Sequence, residues 1–388
     1  MRTAVVHDYF TQLGGAEKVA EELYCLLPEP ALFATVALPG CMPGRLQDVP
    51  VQTSWMQNLP GIRDYYRLYV FLYPFAVGSL DLSAYDLVIS SSSGYAKGVR
   101  TSPRAIHVCY CHTPMRWAWN YQDYSRGESF GLSKRTLLPM FIQGLRHWDR
   151  AAARQPDHFV ANSKAVADRI QRVYQRSAEV VHPPIETARF RPSESQHENY
   201  YLVLSRLVPY KRIDLAVQAC SERGKKLLVI GDGPHRKSLE ALAGPSVEFL
   251  GRASDAQVEY HVARCRALLF PGEEDFGMAP VEVAAAGRPT IAYRAGGALE
   301  TIVENVTGFF FDRQTAECLG DAMENFERQK WSIAALRQQA KNFSVSVFQQ
   351  RFRSFLARID APLSAPALAS TARGFSPLGR TGTSSEPA

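Results

Sequence analysis

The chain opens on a short apolar run, Thr3–His7, followed by a polar loop and then Ala16, Val19, Ala20, Leu23, Leu26 and Leu27. Apolar residues recurring at three and four positions mark one face of a helix, and a short continuous run suits a covered strand. The opening therefore predicts strand, turn at Gly14-Gly15, helix. Leu87–Ser90, Ile106–Tyr110 and His158–Ala161 predict further strands. Between them, residues 50 to 85 are aromatic-rich and irregular, and their pattern predicts no definite element.

His182-Pro183-Pro184 breaks the chain, because proline lacks an N–H and biases its predecessor away from helix. Beyond it the alternation is regular. Strands are predicted over 201–205, 227–230, 247–250, 267–270, 290–293 and 308–311, with helical patterns between them. That rhythm implies βαβ units and parallel sheets. The expected class is α/β: two Rossmann-like, doubly wound domains, residues 1–182 and 183–344, facing a central cleft. Ligands of such sheets sit at the carboxyl ends of the strands.

Phe348, Phe352, Phe355, Leu356 and Ile359 share one helical face, so residues 345–360 are expected to pack back on the core. Arg351, Arg353 and Arg358 leave a membrane-surface helix as the other reading. Residues 361–388 are dominated by Pro, Ser, Ala, Gly and Thr and read as a disordered tail.

With 388 residues, two domains are the natural expectation. A net charge of +6 suits an anionic small molecule or an acidic membrane surface. It argues against nucleic acid, which needs a concentrated basic face. The seven cysteines are scattered and lack zinc spacing, so buried thiols in a reducing cytosol are expected, and no metal. Met1-Arg2 leads straight into a strand without a signal-peptide pattern. The most apolar stretch, Leu68–Leu80, is interrupted by Pro74 and falls short of the roughly 20 residues of a membrane span. A cytoplasmic protein is expected, at most peripheral on the inner face of the membrane.

Five constellations fall at predicted strand ends. Glu274-Asp275-Phe276-Gly277-Met278 leads into a helix carrying Glu282. Carboxylates there suit sugar and ribose hydroxyls, and the turn presents free N–H groups to an anion. A cluster that merely complements the helix dipole is the equal alternative. Arg206 and Lys211 flank a strand-to-helix turn where a diphosphate would lie. Gly231 and Gly233 permit a tight turn and close approach of a ligand. Gly14-Gly15 would do the same for a phosphate or sugar, although G-x-G-x-x-G is missing and a dinucleotide cofactor is disfavoured. Finally, His112-Thr113-Pro114 ends a strand in the first half, with Arg116, Trp117 and Trp119 beyond it to shape a sugar site or simply to pack together.

Taken together these residues resemble the retaining glycosyltransferases of GT-B architecture, family 4, over nearly the whole chain. Glu274 and Glu282 match that family's E-x7-E motif, Arg206 and Lys211 its diphosphate-binding pair, His112 its sugar-site histidine, and Gly15 its amino-terminal glycine loop. The resemblance implies that Arg206 and Lys211 hold the leaving diphosphate, Glu282 the ribose and Glu274 the transferred sugar. Backbone amides near Phe276 and Gly277 would help, and His112 would support positive charge at the reacting carbon through its carbonyl or ring. It further implies reaction on one face of the sugar, with no hydrolase-type carboxylate pair and with electrostatic stabilisation in place of a metal. Asp275 stands where many members carry glycine. This variant, with His-Thr-Pro-x-Arg-Trp and His7-Asp8-Tyr9, looks like bacterial mannosyltransferases of surface-polysaccharide assembly, which favours GDP-mannose as donor. A glycan or lipid-linked saccharide is the expected acceptor, with Arg63 and Arg67 beside the apolar run as its membrane-side contacts, or else an ordinary buried helix there. The rival readings are a nucleotide-sugar epimerase of the same architecture and a non-catalytic nucleotide-sugar-binding subunit.

Overall fold

The computed structural model describes residues 1–119, 132–193 and 197–361. Of the predicted tail, 361–388, only Ala361 lies within them, and it is buried against the first domain. Seven parallel strands form the first sheet: β1 (Thr3–His7), β2 (Ala31–Ala34), β3 (Val51–Thr53), β4 (Leu87–Ser92), β5 (Ile106–Cys111), β6 (His158–Ala161) and β7 (Glu179–Val180). Their order is β3-β2-β1-β4-β5-β6-β7. The second sheet has β8 (Tyr201–Leu204), β9 (Leu227–Ile230), β10 (Val247–Gly251), β11 (Ala267–Phe270), β12 (Thr290–Tyr293) and β13 (Gly308–Phe311). It is ordered β10-β9-β8-β11-β12-β13.

In both sheets the order of successive strands reverses beside the first strand, at β1/β4 in one and β8/β11 in the other. At such a switch point the adjoining loops part and leave a crevice. Strands β4, β9 and β11 are buried along their whole length, as expected for sheets covered by helices on both faces.

The region that the pattern left undefined holds the edge strand β3 and the short helices Ile62–Tyr65 and Tyr73–Gly78. Elements this short do not stand on propensity. They are held by packing, for example Tyr73 stacked on Tyr95 with centroids 4.8 Å apart.

The last helix, Val345–Arg358, returns to the first domain. Phe348, Phe352, Phe355 and Leu356 are buried with Leu23, Leu26 and Tyr110. Its arginines are engaged as well: Arg353 donates to the Leu26 carbonyl at 3.4 Å and Arg358 pairs with Glu179. The stripe therefore serves domain packing and is not a membrane face. Cys109 and Cys111 are buried on one side of β5.

Candidate active site

The loop after β8 carries the two predicted cations. Arg206 is exposed and its Nη1 donates to Gln12 Oε1 of the first domain at 3.3 Å. Lys211 ends the turn Pro209–Lys211, and its ammonium pairs with the Glu274 carboxylate. Gly231 and Gly233, in the turn after β9, press their α-carbons onto the Ser205 and Leu207 backbone. Their role in the fold is to let the Arg206 loop sit close to its neighbour.

Glu274 and its successors leave β11. Gly277, at φ 85°, makes the turn into the helix Met278–Ala285, a left-handed backbone that favours glycine. The Phe276 ring is buried, its centroid 5.5 Å from those of His182 and Phe343. Its backbone packs against Gly297. Asp275 reaches across to the first domain: Oδ2 pairs with Arg116 Nη2 at 2.7 Å, and Oδ1 takes Arg169 Nη1. Burial would raise this carboxyl, but the two guanidiniums outweigh it and hold it below the usual carboxylate range. Asp275, expected at the donor, has both oxygens committed to domain contact. One turn beyond Met278, Glu282 faces a cleft lined by Lys18, Glu186 and Phe190. Burial pushes its carboxyl up, against the pull of Lys18 and Arg189.

Across the cleft, Met278 lies directly against Gly15, leaving no room for a side chain there. His112 is buried at the end of β5 and its Nε2 shares a hydrogen bond with Ser91 Oγ at 2.8 Å. That hydroxyl also meets His7 Nδ1 at 3.0 Å. Burial, with His7 adding to it, brings the His112 imidazole down to about 3, so the ring is neutral at physiological pH. Its carbonyl accepts from Asn162 Nδ2 at 2.9 Å. Asp8, at the end of β1, accepts from the backbone N–H groups of Ser93, Tyr95 and Ala96 and so fixes the loop after β4. Trp119 donates to the buried Asp149 at 2.7 Å, the packed arrangement rather than an open sugar platform. The Trp117 side chain lies outside the described residues.

Pattern reading missed several of these groups. Arg169 and Ser163 lie on or beside the helix Lys164–Tyr174, and Ser163 Oγ donates to the Asp275 carbonyl at 2.5 Å. Glu300 of the second domain accepts from Lys164 N at 2.8 Å and from His182 Nε2 at 2.9 Å, capping a first-domain helix. Burial works to raise the Glu300 carboxyl, yet the His182 and backbone donors leave it lowered. Asn162-Ser163 before a helical run is a legible N-cap, but nothing in the pattern says which loop it meets. The outcome is a cleft with cations and a carboxylate on one wall, a glycine turn and a neutral histidine on the other. Such walls suit an anionic leaving group bonded to a polyhydroxylated ring.

Comparison with known proteins decides the family. The family described as "Glycosyltransferase Family 4" matches residues 13–189, and "Glycosyl transferases group 1" matches residues 184–343. The chain belongs to the GT-B glycosyltransferases. HepE from Anabaena in complex with UDP superposes with a TM-score of 0.68 at 18% identity, covering 92% of this chain and 100% of that one. Sucrose-phosphate synthase from Thermosynechococcus elongatus gives 0.69 at 16%, covering 93% and 100%. In sequence, this glycosyltransferase is 31% identical over 176 residues to the GDP-mannose-dependent alpha-(1-6)-phosphatidylinositol monomannoside mannosyltransferase of Mycobacterium tuberculosis, covering 38% of this chain and 46% of the relative. It is 25% identical over 213 residues to an uncharacterised glycosyltransferase of Methanocaldococcus jannaschii, covering 54% and 60%. The glycosyltransferase thus aligns with only part of each relative's length.

Proposed function

We propose that the chain is a retaining glycosyltransferase that moves a mannosyl group from GDP-mannose onto a glycan or lipid-linked saccharide. The observation that carries this is the Lys211–Glu274 ion pair, on the same strand-to-helix turn as Arg206, with Gly15 of the first domain packed on Met278 of the Glu274 loop's helix. A lysine ammonium has three donors, so Lys211 can keep Glu274 and still meet a phosphate oxygen. Arg206 adds a planar fork to the same diphosphate. As the sugar–phosphate bond breaks, both cations stabilise the negative charge that collects on the leaving phosphate. This takes the place of a divalent metal. Glu274 then accepts from hydroxyls of the transferred sugar and Glu282 from the ribose. The neutral His112 meets the sugar through Nδ1 or its carbonyl, because Ser91 holds Nε2.

GDP-mannose is favoured because several relatives carry that donor in their names, whereas the UDP of HepE comes with a likeness in fold alone. A lipid-linked acceptor is favoured by exposed Leu68, Phe71 and Phe75, which adjoin exposed Arg63 and Arg67. None of the described helices is long and apolar enough to cross a membrane, so such a patch would work by docking on an anionic inner-face surface. The test is titration of the folded chain with GDP, UDP, ADP and TDP and their sugars. Selective binding of GDP-mannose, weakened in Arg206→Ala and Lys211→Ala, supports the reading. Selection of another base overturns the donor, and binding of none overturns the transferase.

A further inference from the structure

Under the Gly14-Gly15 turn lies a carboxyl that neither the motif nor the mechanism uses. Glu17 is 2% exposed, and its Oε2 has no hydrogen-bond partner. It sits in the first turn of the 12-residue helix Gly15–Leu26, whose N-cap, Gly14, contributes no side chain. The contact is close: a β-carbon on Gly14 would come within 2.9 Å of Oε2. A buried carboxylate without a cation is costly to ionise. Burial pushes the Glu17 carboxyl up to about 7, and Asp8 adds to this against the pull of the Glu17 and Gly14 amides and Gln12. The surrounding charges are Asp8 at the end of β1, Arg206 reaching over through Gln12, and Lys18, which turns to the Glu282 cleft. No hydrogen bond from any of them reaches Glu17 Oε2.

The turn above Glu17 is where helix N–H groups await an anion. A phosphate placed there sets a second negative charge beside the carboxyl, and a like charge favours its protonated form. We propose that Glu17 is a proton-linked positioning residue of the donor site, neutral when a diphosphate lies against Gly14-Gly15, so that donor binding takes up a proton. The ionised form would repel the phosphate, whereas the neutral form adds a hydrogen-bond donor under the turn. This rests on the nucleotide-sugar reading above.

A nucleotide sugar carries a diphosphate diester with no proton to release near neutrality, so any proton linkage in its binding belongs to the protein. The experiment is calorimetric titration of the full chain with GDP-mannose, with UDP-glucose alongside, between about pH 6 and 8.5 in two buffers of different ionisation enthalpy. Wild type is expected to bind with level affinity below about pH 7 and to weaken by up to about tenfold per pH unit above it, approaching one proton taken up per site. Glu17→Gln, neutral throughout, should bind with level affinity and take up none. The same slope and proton count in Glu17→Gln would overturn the inference. So would a wild type that binds without uptake at pH 8, which decides the matter even if the variant fails to fold. Failure of folded wild type to bind either nucleotide sugar at any pH overturns the nucleotide-sugar reading itself, and the linkage with it.

Discussion

Arg116 Nη2 stands 2.7 Å from Asp275 Oδ2, an ion pair between the short helix Arg116–Trp119 that follows β5 in one domain and the loop after β11 in the other. Arg169 takes the second oxygen, and the Arg116 guanidinium also lies over the Tyr210 ring at 4.6 Å. Asp275 therefore ties the two halves of the cleft, together with the contacts that Ser163 and Glu300 make across it.

Removing that carboxylate should cost both stability and closure. Asp275→Asn leaves two guanidiniums without their anion and should lower unfolding free energy by about 1–3 kcal/mol. Because the Asp275 carboxyl is depressed in the fold, its contribution is present above the ordinary carboxylate range and lost only as pH falls through the lower folded value. The deficit measured by urea unfolding should hold from about pH 5 to 8 and narrow in stronger acid. An unchanged stability at neutral pH would mean that the pair is not maintained in solution.

Buried histidines set the acid limit. Burial brings His7 and His107 to about 4 and His112 to about 3. Unfolded, each takes a proton near pH 6.5, which the fold refuses. Stability should therefore be level above that value and fall as pH drops toward 4, by about 1–2 kcal/mol per histidine at pH 5. His112→Ala should flatten part of this curve and lower kcat while leaving diphosphate affinity within about threefold. Thermal unfolding across pH, read beside titration with the diphosphate, separates these effects.

The diphosphate cations should act without a metal. Transfer activity should survive chelation with EDTA, whereas Lys211→Ala should weaken nucleoside diphosphate binding by about ten- to a hundredfold. That variant also strands the Glu274 carboxylate, so the double variant Lys211→Ala/Glu274→Gln should regain part of the affinity. Loss of activity on chelation, restored by a divalent ion, would assign the charge to a metal instead.

Membrane docking has its own signature. Leu68 and Phe75 are each 70% exposed, and Phe71 meets Phe141 with centroids 3.8 Å apart, so two elements share the patch. Binding to vesicles rich in phosphatidylglycerol should drop at least about tenfold in Leu68→Ser/Phe75→Ser and in Arg63→Ala/Arg67→Ala. Salt should weaken the wild type and leave the double arginine variant less affected. Equal binding by all three proteins would remove the patch from the acceptor reading.

Much of the architecture was readable from the chain because its signals are local. Covered parallel strands appear as unbroken apolar runs, helices as 3.6-residue stripes, and the functional loops follow strand ends at fixed spacing. Glu274, Glu282, Arg206, Lys211 and His112 are all recognisable this way. Residues 50 to 85 were not, because an edge strand of three residues and helices of four and six take their stability from neighbours remote in sequence.

Sequence alone determined the two-domain α/β class, the polar residues at the strand ends and the family they resemble, since each depends on order and spacing along one backbone. Tertiary structure decided which of those residues meet. Asp275 went to Arg116 and to Arg169, the latter 106 residues away along the chain, Glu300 to the helix at Lys164, and Glu17 to a buried place where its Oε2 has no hydrogen-bond partner. Partner choice across a cleft follows from how two domains pack, and packing is a property of surfaces brought together by folding rather than of any window of the chain.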